Sequence, residues 1–328
     1  MNGWCGSSSV CRFADACLRG IAQVMLQNNP LTGALFLAAI VWASFAADAW
    51  RLAFAAILAV VVATLTAQWL RFDSTEIESG LHGYNATLVG LTLATFLAPG
   101  ALLWCYVVFG AVITVIVTRG TFNVLKPRGL PALTAPFVLI AWLMLLASYG
   151  FAGLSGTSLP SGAVVGAYQA YHTEPLDILG FAQGVFKSIS QVFLKSDGIA
   201  ALLLIAGLLV SSPAATAFAV GGAILSVATT HLLGAESDLI TGGLLGFSPV
   251  LTAITLGTVS YRPSFRVAAY AALATAFTVV VQAAMNVAFT PFAIPALTAP
   301  FVLVSWLFLL PRLSLDETNA PSTSGNER

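Results

Sequence analysis

The sequence predicts an all-α membrane protein built from two homologous halves in inverted orientation, each with five crossing helices and one partial entry. Three observations carry this. Of 328 residues, 58% are apolar and 8% charged, whereas a soluble domain carries about 25% charged residues. Apolar runs recur along the whole chain in two sets of six. A sixteen-residue stretch occurs twice, nearly unchanged.

A helix needs about 20 apolar residues to cross about 30 Å of hydrocarbon, and shorter ones suffice when they end in polar cavities. The first set of runs falls near 11–27, 31–47, 51–70, 83–98, 101–118 and 131–149. The second falls near 178–194, 199–211, 213–232, 240–258, 265–285 and 295–310. Residues 1–150 are thus a first repeat, 151–177 a connector and 178–311 a second repeat. Residues 312–328 are polar and rich in Ser and Thr, the composition of a disordered tail. The first twenty residues lack the basic, apolar and small-residue regions of a signal peptide.

Arg and Lys concentrate in cytoplasmic loops. Here Arg119, Lys126 and Arg128 fall in one loop, Arg262 and Arg266 in another, and Arg312 follows the last run. The connector 151–177 holds Glu174 and Asp177 and no cation. An odd number of crossings per half puts the basic loops on one side, with both termini cytoplasmic and the connector outside. It also inverts the second half relative to the first. The expected location is the cell membrane, with lipid as the surrounding partner.

The duplicated stretch is PALTAPFVLIAWLMLL at 131–146 and PALTAPFVLVSWLFLL at 295–310, with 13 of 16 positions identical. Gly83-Tyr84-Asn85 aligns with Gly246-Phe247-Ser248, and the block ending in Gln23-Val24 aligns with the block ending in Gln191-Val192. The offsets are 164, 163 and 168, so the blocks keep their order. An inverted repeat places a pseudo-two-fold axis in the membrane plane and a site near the midplane between the halves. The repeated blocks are also those carrying Gln, Thr, Asn, Ser and Pro inside apolar runs. Such groups cost several kcal/mol if they face lipid unsatisfied, so they must face a neighbouring helix or a pore.

At these residues the chain resembles the urea transporter family. The doubled Leu130–Phe137 and Ile294–Phe301 elements carry the likeness, with the paired Gln-Val segments and the Gly-aromatic blocks. It covers roughly residues 12–310. The resemblance implies a tilted half-helix in each repeat, here near 11–27 and 178–194. It further implies one pore per protomer, a homotrimer, and passive, channel-like permeation of urea.

The resemblance places specific residues in that pore. Gln23 and Gln191 would offer oxygens to the four N–H groups of urea, beside carbonyls left unpaired where each half-helix ends. The competing reading is an amide that bridges helices. Thr134 and Thr298 would line the narrow middle, each followed by a proline, Pro136 or Pro300, that removes a donor and frees an upstream carbonyl. A threonine bonded back to its own helix is the alternative there. Tyr84 and Leu88, with Phe247 and Leu251, would form apolar plates for a flat solute. Leu26 and Leu194 stand where the family often has phenylalanine, and Val24 and Val192 line the slot. A second departure is Ser248-Pro249 in place of Asn85-Ala86.

Other classes find no support in the sequence. Acidic and basic residues balance at 13 each, so there is no basic stripe for nucleic acid. No nucleophile arrangement, metal-ligand spacing or phosphate-binding glycine loop appears, which argues against an enzyme and against a cofactor. Cys5, Cys11, Cys17 and Cys105 read as free thiols. Asp73, Glu76, Glu78, Glu236 and Asp238 read as solvated loop charges, and His82, His172 and His231 as loop or helix-end residues. The alternative within transport is a channel or carrier for another small neutral solute, such as a short amide or ammonia.

Overall fold

The computed structural model describes residues 8–162, 175–194 and 196–315. Most of the expected connector at 163–174, with Glu174 and His172, and the tail at 316–328 lie outside the described residues, as does Cys5. Among those described, the fold is helical, with one isolated bridge between Leu97 and Gly156. Four helices are long and apolar enough to cross a membrane: α3 (Arg51–Trp69), α6 (Ala101–Leu125), α10 (Pro213–Leu232) and α13 (Phe265–Phe289). Large apolar side chains stand exposed on them, Trp69 at 77% and Phe265 at 89%. In water such surface would be a liability; against lipid tails it is not.

The other helices are shorter. In chain order they are α1 (Ser9–Ala22), α2 (Pro30–Ala46), α4 (Ser74–Glu78), α5 (Tyr84–Phe96) and α7 (Ala135–Ser148), then α8 (Ile178–Ser190), α9 (Gly198–Ser211), α11 (Ser237–Thr241), α12 (Phe247–Ile254) and α14 (Ala299–Leu309). The seven elements α1–α7 therefore recur in type and order as α8–α14. The details repeat as well. Both α1 and α8 tighten into a 3₁₀ turn, Gln23–Met25 and Gln191–Phe193, and then bend by 74° and 73° into the next helix. That next helix is capped by a side chain in each case: Asn29 Oδ1 accepts from Leu31 N, and Asp197 Oδ1 from Ala200 N. A cap satisfies backbone donors that would otherwise be orphaned at the break.

Two sequence expectations change here. The acids before the Gly blocks are not simply solvated loop charges. Asp73 Oδ1 caps α4, accepting from the backbone of Thr75 and Glu76, while Glu76 pairs with Arg119 at 2.7 Å. Five residues with two acids give no apolar period, which is why α4 was invisible in the sequence. Second, Cys17 and Cys105 are free thiols as expected, but Cys11 is disulfide-bonded. Three cysteines spaced by six within one terminal segment do not reveal pairing, because the spacing says nothing about which thiols meet.

The halves meet chiefly along α2 and α9. Thr32 Oγ1 donates to Gly207 O at 2.8 Å across this seam, and Phe36 stands edge-on to Phe193 with ring centres 5.6 Å apart. The loops that carry basic residues gather at one end. Arg119, Lys126, Tyr261 and Arg312 line one cavity there, and Arg312 donates to Arg128 O at 2.9 Å.

Candidate functional site

The duplicated signature folds identically in both copies. Leu133 and Leu297 adopt left-handed backbone, φ 50° and 53°, and the next residues, Thr134 and Thr298, stand just before α7 and α14 with φ near −90° and no side-chain capping bond. Val138 N donates to Thr134 O and Val302 N to Thr298 O. The prolines are thus in the first turn of each helix, where their missing donor has no intrahelical partner to lose. Each proline was expected to remove a donor and free an upstream carbonyl; the helices begin one residue before these prolines, at Ala135 and Ala299, and the carbonyl of Leu133 accepts from the Tyr84 hydroxyl. Periodicity alone could not show this, since the segment is apolar on both sides of the break.

The two copies also touch. Thr134 Oγ1 and Thr298 Oγ1 are 2.6 Å apart, a hydrogen bond between equivalent buried hydroxyls. Around them the contacts are reciprocal. Trp142 Nε1 donates to Pro295 O, and Trp306 Nε1 donates to Pro131 O, each at 2.9 Å. Residue i of one half meets j of the other, and j meets i, the pattern of contact a self-complementary interface makes.

The glutamines are matched in the same way. Gln23 Nε2 donates to Ser79 O at 3.1 Å, and Gln191 Nε2 to Gly242 O at 3.2 Å. Both acceptors precede a glycine of positive φ, Gly80 at 75° and Gly243 at 73°. A Cβ on Gly80 would run into the backbone at Gly20, and one on Gly243 into Lys187. Glycine therefore lets the turn lie against the half-helix and bring a carbonyl to each glutamine. So the bridging reading of the amide is realised for its nitrogen. The oxygen of each side chain takes no hydrogen bond among the described residues, and both side chains are half-buried.

Leu26 and Leu194 stand where the resemblance puts phenylalanine. They are also the left-handed residues that end the 3₁₀ turns, φ 63° and 58°. A non-glycine residue with positive φ is uncommon, and glycine or asparagine would be the sequence signal for it, so four left-handed leucines gave no warning. Val24 and Val192 are buried beside them. Tyr84, Leu88, Phe247 and Leu251 are buried on α5 and α12. Tyr84 does more than present a flat face: its hydroxyl donates to Leu133 O at 2.6 Å, holding the left-handed residue before Thr134.

The Asn85 to Ser248 departure has a compensating exchange. Asn85 Nδ2 donates to Thr118 Oγ1, whereas Ser248 Oγ donates to Gln282 Oε1. Thr118 and Gln282 are equivalent at the repeat spacing of 164. The amide has moved from one helix to its neighbour, and each half keeps a satisfied buried pair. Alignment shows both substitutions, but only the fold shows that they face each other.

At the Gln23 end, His82 is 2% exposed, 3.4 Å from Glu76 and tilted against Phe72 with ring centres 5.0 Å apart. Burial pushes its pKa below the ordinary histidine value, opposed by the Glu76 carboxylate and helped by Arg119. Sequence reading placed His82 in or near a loop; the structure buries it within ion-pair distance of Glu76, with neither ring nitrogen in a hydrogen bond among the described residues. No group of three metal-ligating side chains occurs among the described residues.

The urea transporter family model matches residues 14–313. Among curated proteins, "Urea transporter 1" of Ovis aries is 30% identical over 304 residues, covering 91% of this chain and 77% of the relative. "Urea transporter 1" of Rattus norvegicus is 29% identical over 306 residues, covering 92% and 77%. With the doubled signature, the paired glutamines and this match over nearly its whole length, the chain belongs to the urea transporter family, which is a family of transport proteins and not of enzymes.

Proposed function

We propose that the chain is a passive urea channel whose pore runs between its two halves, from Gln23 past Thr134 and Thr298 to Gln191. The single observation that carries this reading is the 2.6 Å contact between the Thr134 and Thr298 hydroxyls, inside a shell of reciprocal bonds. A two-fold relation places two copies of every polar group along one line, and a solute crossing that line meets the same groups twice.

The halves are inverted, with the axis in the membrane plane, five crossings per half, and α1 and α8 as the tilted half-helices. Supporting this, α1 and α8 each tighten into a 3₁₀ turn and bend by 74° and 73° into the helix that follows, so each ends inside the protein. The basic loops share one end, which is the cytoplasmic side, and both termini lie there. The assembly is a homotrimer in the cell membrane, as the resemblance implies.

Urea offers four N–H donors and one acceptor. With each glutamine nitrogen held by a backbone carbonyl, the side-chain oxygen is the atom turned to a donor. The threonine hydroxyls both donate and accept, so they can exchange their mutual bond for bonds to urea. Tyr84, Leu88, Phe247 and Leu251 provide apolar walls, and Val24, Leu26, Val192 and Leu194 shape the approaches. Asp73, Glu76, Glu236 and Asp238 belong to α4, α11 and the residues that open them, and stand outside the proposed pore. Proton- or sodium-coupled carriers use intramembrane carboxylates, so flux here is downhill.

Stopped-flow permeability of proteoliposomes tests the reading, with urea, thiourea, formamide and ammonia compared with and without a proton gradient. Fast urea flux unaffected by the gradient is expected. Gradient-driven accumulation of labelled urea would establish a carrier, and faster passage of formamide or ammonia than of urea would establish a different solute.

A further inference from the structure

Two cavities share part of their lining at the repeat spacing and differ in charge. The larger, about 720 Å³, is lined in part by Glu76, Arg119, Asn123, Lys126 and Arg312. The smaller, about 250 Å³, is lined in part by Leu239, Ala283 and Val287. At the repeat spacing, Leu239 answers to Glu76, Ala283 to Arg119 and Val287 to Asn123, while Thr290 answers to Lys126. The second half therefore builds its version without a cation, with Glu236 on the lining instead. The fold does not require positive charge at these positions.

In the larger cavity Arg119 is committed to Glu76 at 2.7 Å, with its guanidinium 5.6 Å from the Phe72 ring centre. Three cations against one carboxylate leave a surplus of two positive charges, carried by Lys126 and Arg312. Lys126 is exposed, and Arg312 is oriented by its bond to Arg128 O. Donors from Asn123 and Ser260 complete the polar wall. The lining also carries an apolar part, Leu130, Leu309 and Leu313, of which Leu313 is 41% exposed. No residue of the paired glutamine and threonine site lines this cavity.

We propose that this cavity binds a phosphate-bearing anion, with Lys126 and Arg312 as its charge partners and the leucines of its lining set to meet the acyl chains of an anionic phospholipid. A phosphate group carries one or two negative charges and several acceptor oxygens, which the two cations and the neighbouring amide and hydroxyl match. Basic pockets between membrane helices on the cytoplasmic side hold phosphate headgroups in this way. Free phosphate shares the chemistry, so the source of the group is settled by experiment.

The full-length protein is placed in nanodiscs of phosphatidylcholine alone, or of phosphatidylcholine with graded phosphatidylglycerol, and its thermal stability is measured. A parallel series adds inorganic phosphate to the phosphatidylcholine discs. Protection by phosphatidylglycerol but not by inorganic phosphate is expected, while protection by inorganic phosphate would keep the site and make its ligand a solute. Each of Lys126→Gln and Arg312→Gln should raise the amount of ligand needed for half-protection about fivefold, and the double variant about 25-fold. The exposed Lys126→Gln variant keeps the test usable if Arg312→Gln fails to fold. No protection of the wild type in either series, or equal protection of wild type and the Lys126→Gln variant, overturns the proposal.

Discussion

Trp142 and Trp306 exchange partners across the molecule: each indole nitrogen donates, at 2.9 Å, to the proline carbonyl that opens the other half's signature. Because the bonds are equivalent, removing either should have the same effect. A hydrogen bond of this kind contributes about 1 kcal/mol net. Trp142→Phe and Trp306→Phe should therefore each lower thermal stability by a similar few degrees, and the double variant by more than either. A large loss in one variant and none in the other would show that the halves do not rest on each other symmetrically.

The buried imidazole at the Gln23 end gives a pH dependence with a definite sign. Desolvation depresses the His82 pKa in the folded state, so the fold favours the neutral ring. That contribution is fully present above the ordinary histidine pKa of about 6.5 and is lost as pH falls through the lowered folded value. Thermal stability of the wild type should drop on acidification below about pH 6.5, and His82→Gln should flatten that part of the profile. An unchanged profile in the variant would assign the acid sensitivity to other groups. Glu76 and Arg119 are the charged groups facing the ring, and they oppose each other.

Orientation is open to direct labelling. In a chain whose four cysteines are replaced by serine, Pro160→Cys should react with an impermeant thiol reagent on intact cells and Asn123→Cys should not. Both positions are exposed, so reactivity reports side rather than burial. Labelling at 123 with protection at 160 would reverse the assignment.

Much of this was legible in the sequence, and the limits have physical causes. The long apolar helices followed from run length, with α10 matching its expected range of 213–232 and α3 falling within one residue of its own. The pairing of Gln23 with Gln191 and of Thr134 with Thr298 followed from the internal repeat. What the repeat could not show was contact: that the two threonines touch, that Trp142 reaches Pro295, or that Asn85 and Gln282 play one part from non-equivalent helices of the two halves. Helix starts inside uniformly apolar segments, at Ala135 and Ala299, were hidden because hydrophobicity does not change at the break. The left-handed leucines were hidden because their residue type argues against the conformation they adopt.

The most direct test of the central claim is urea permeability per folded protomer for Gln23→Leu and Gln191→Leu, with thermal stability measured on the same preparations. Loss of an acceptor for a desolvated donor costs about 1–3 kcal/mol, roughly five- to 150-fold if it falls on the limiting barrier. Both variants should fold, since the bond each loses is a single amide contact to Ser79 or Gly242, and both should show permeation reduced in that range. Thr134→Val and Thr298→Val should follow the same direction with smaller losses. Normal flux per protomer in both glutamine variants would contradict the account and leave these side chains as braces between the half-helices and their neighbouring turns.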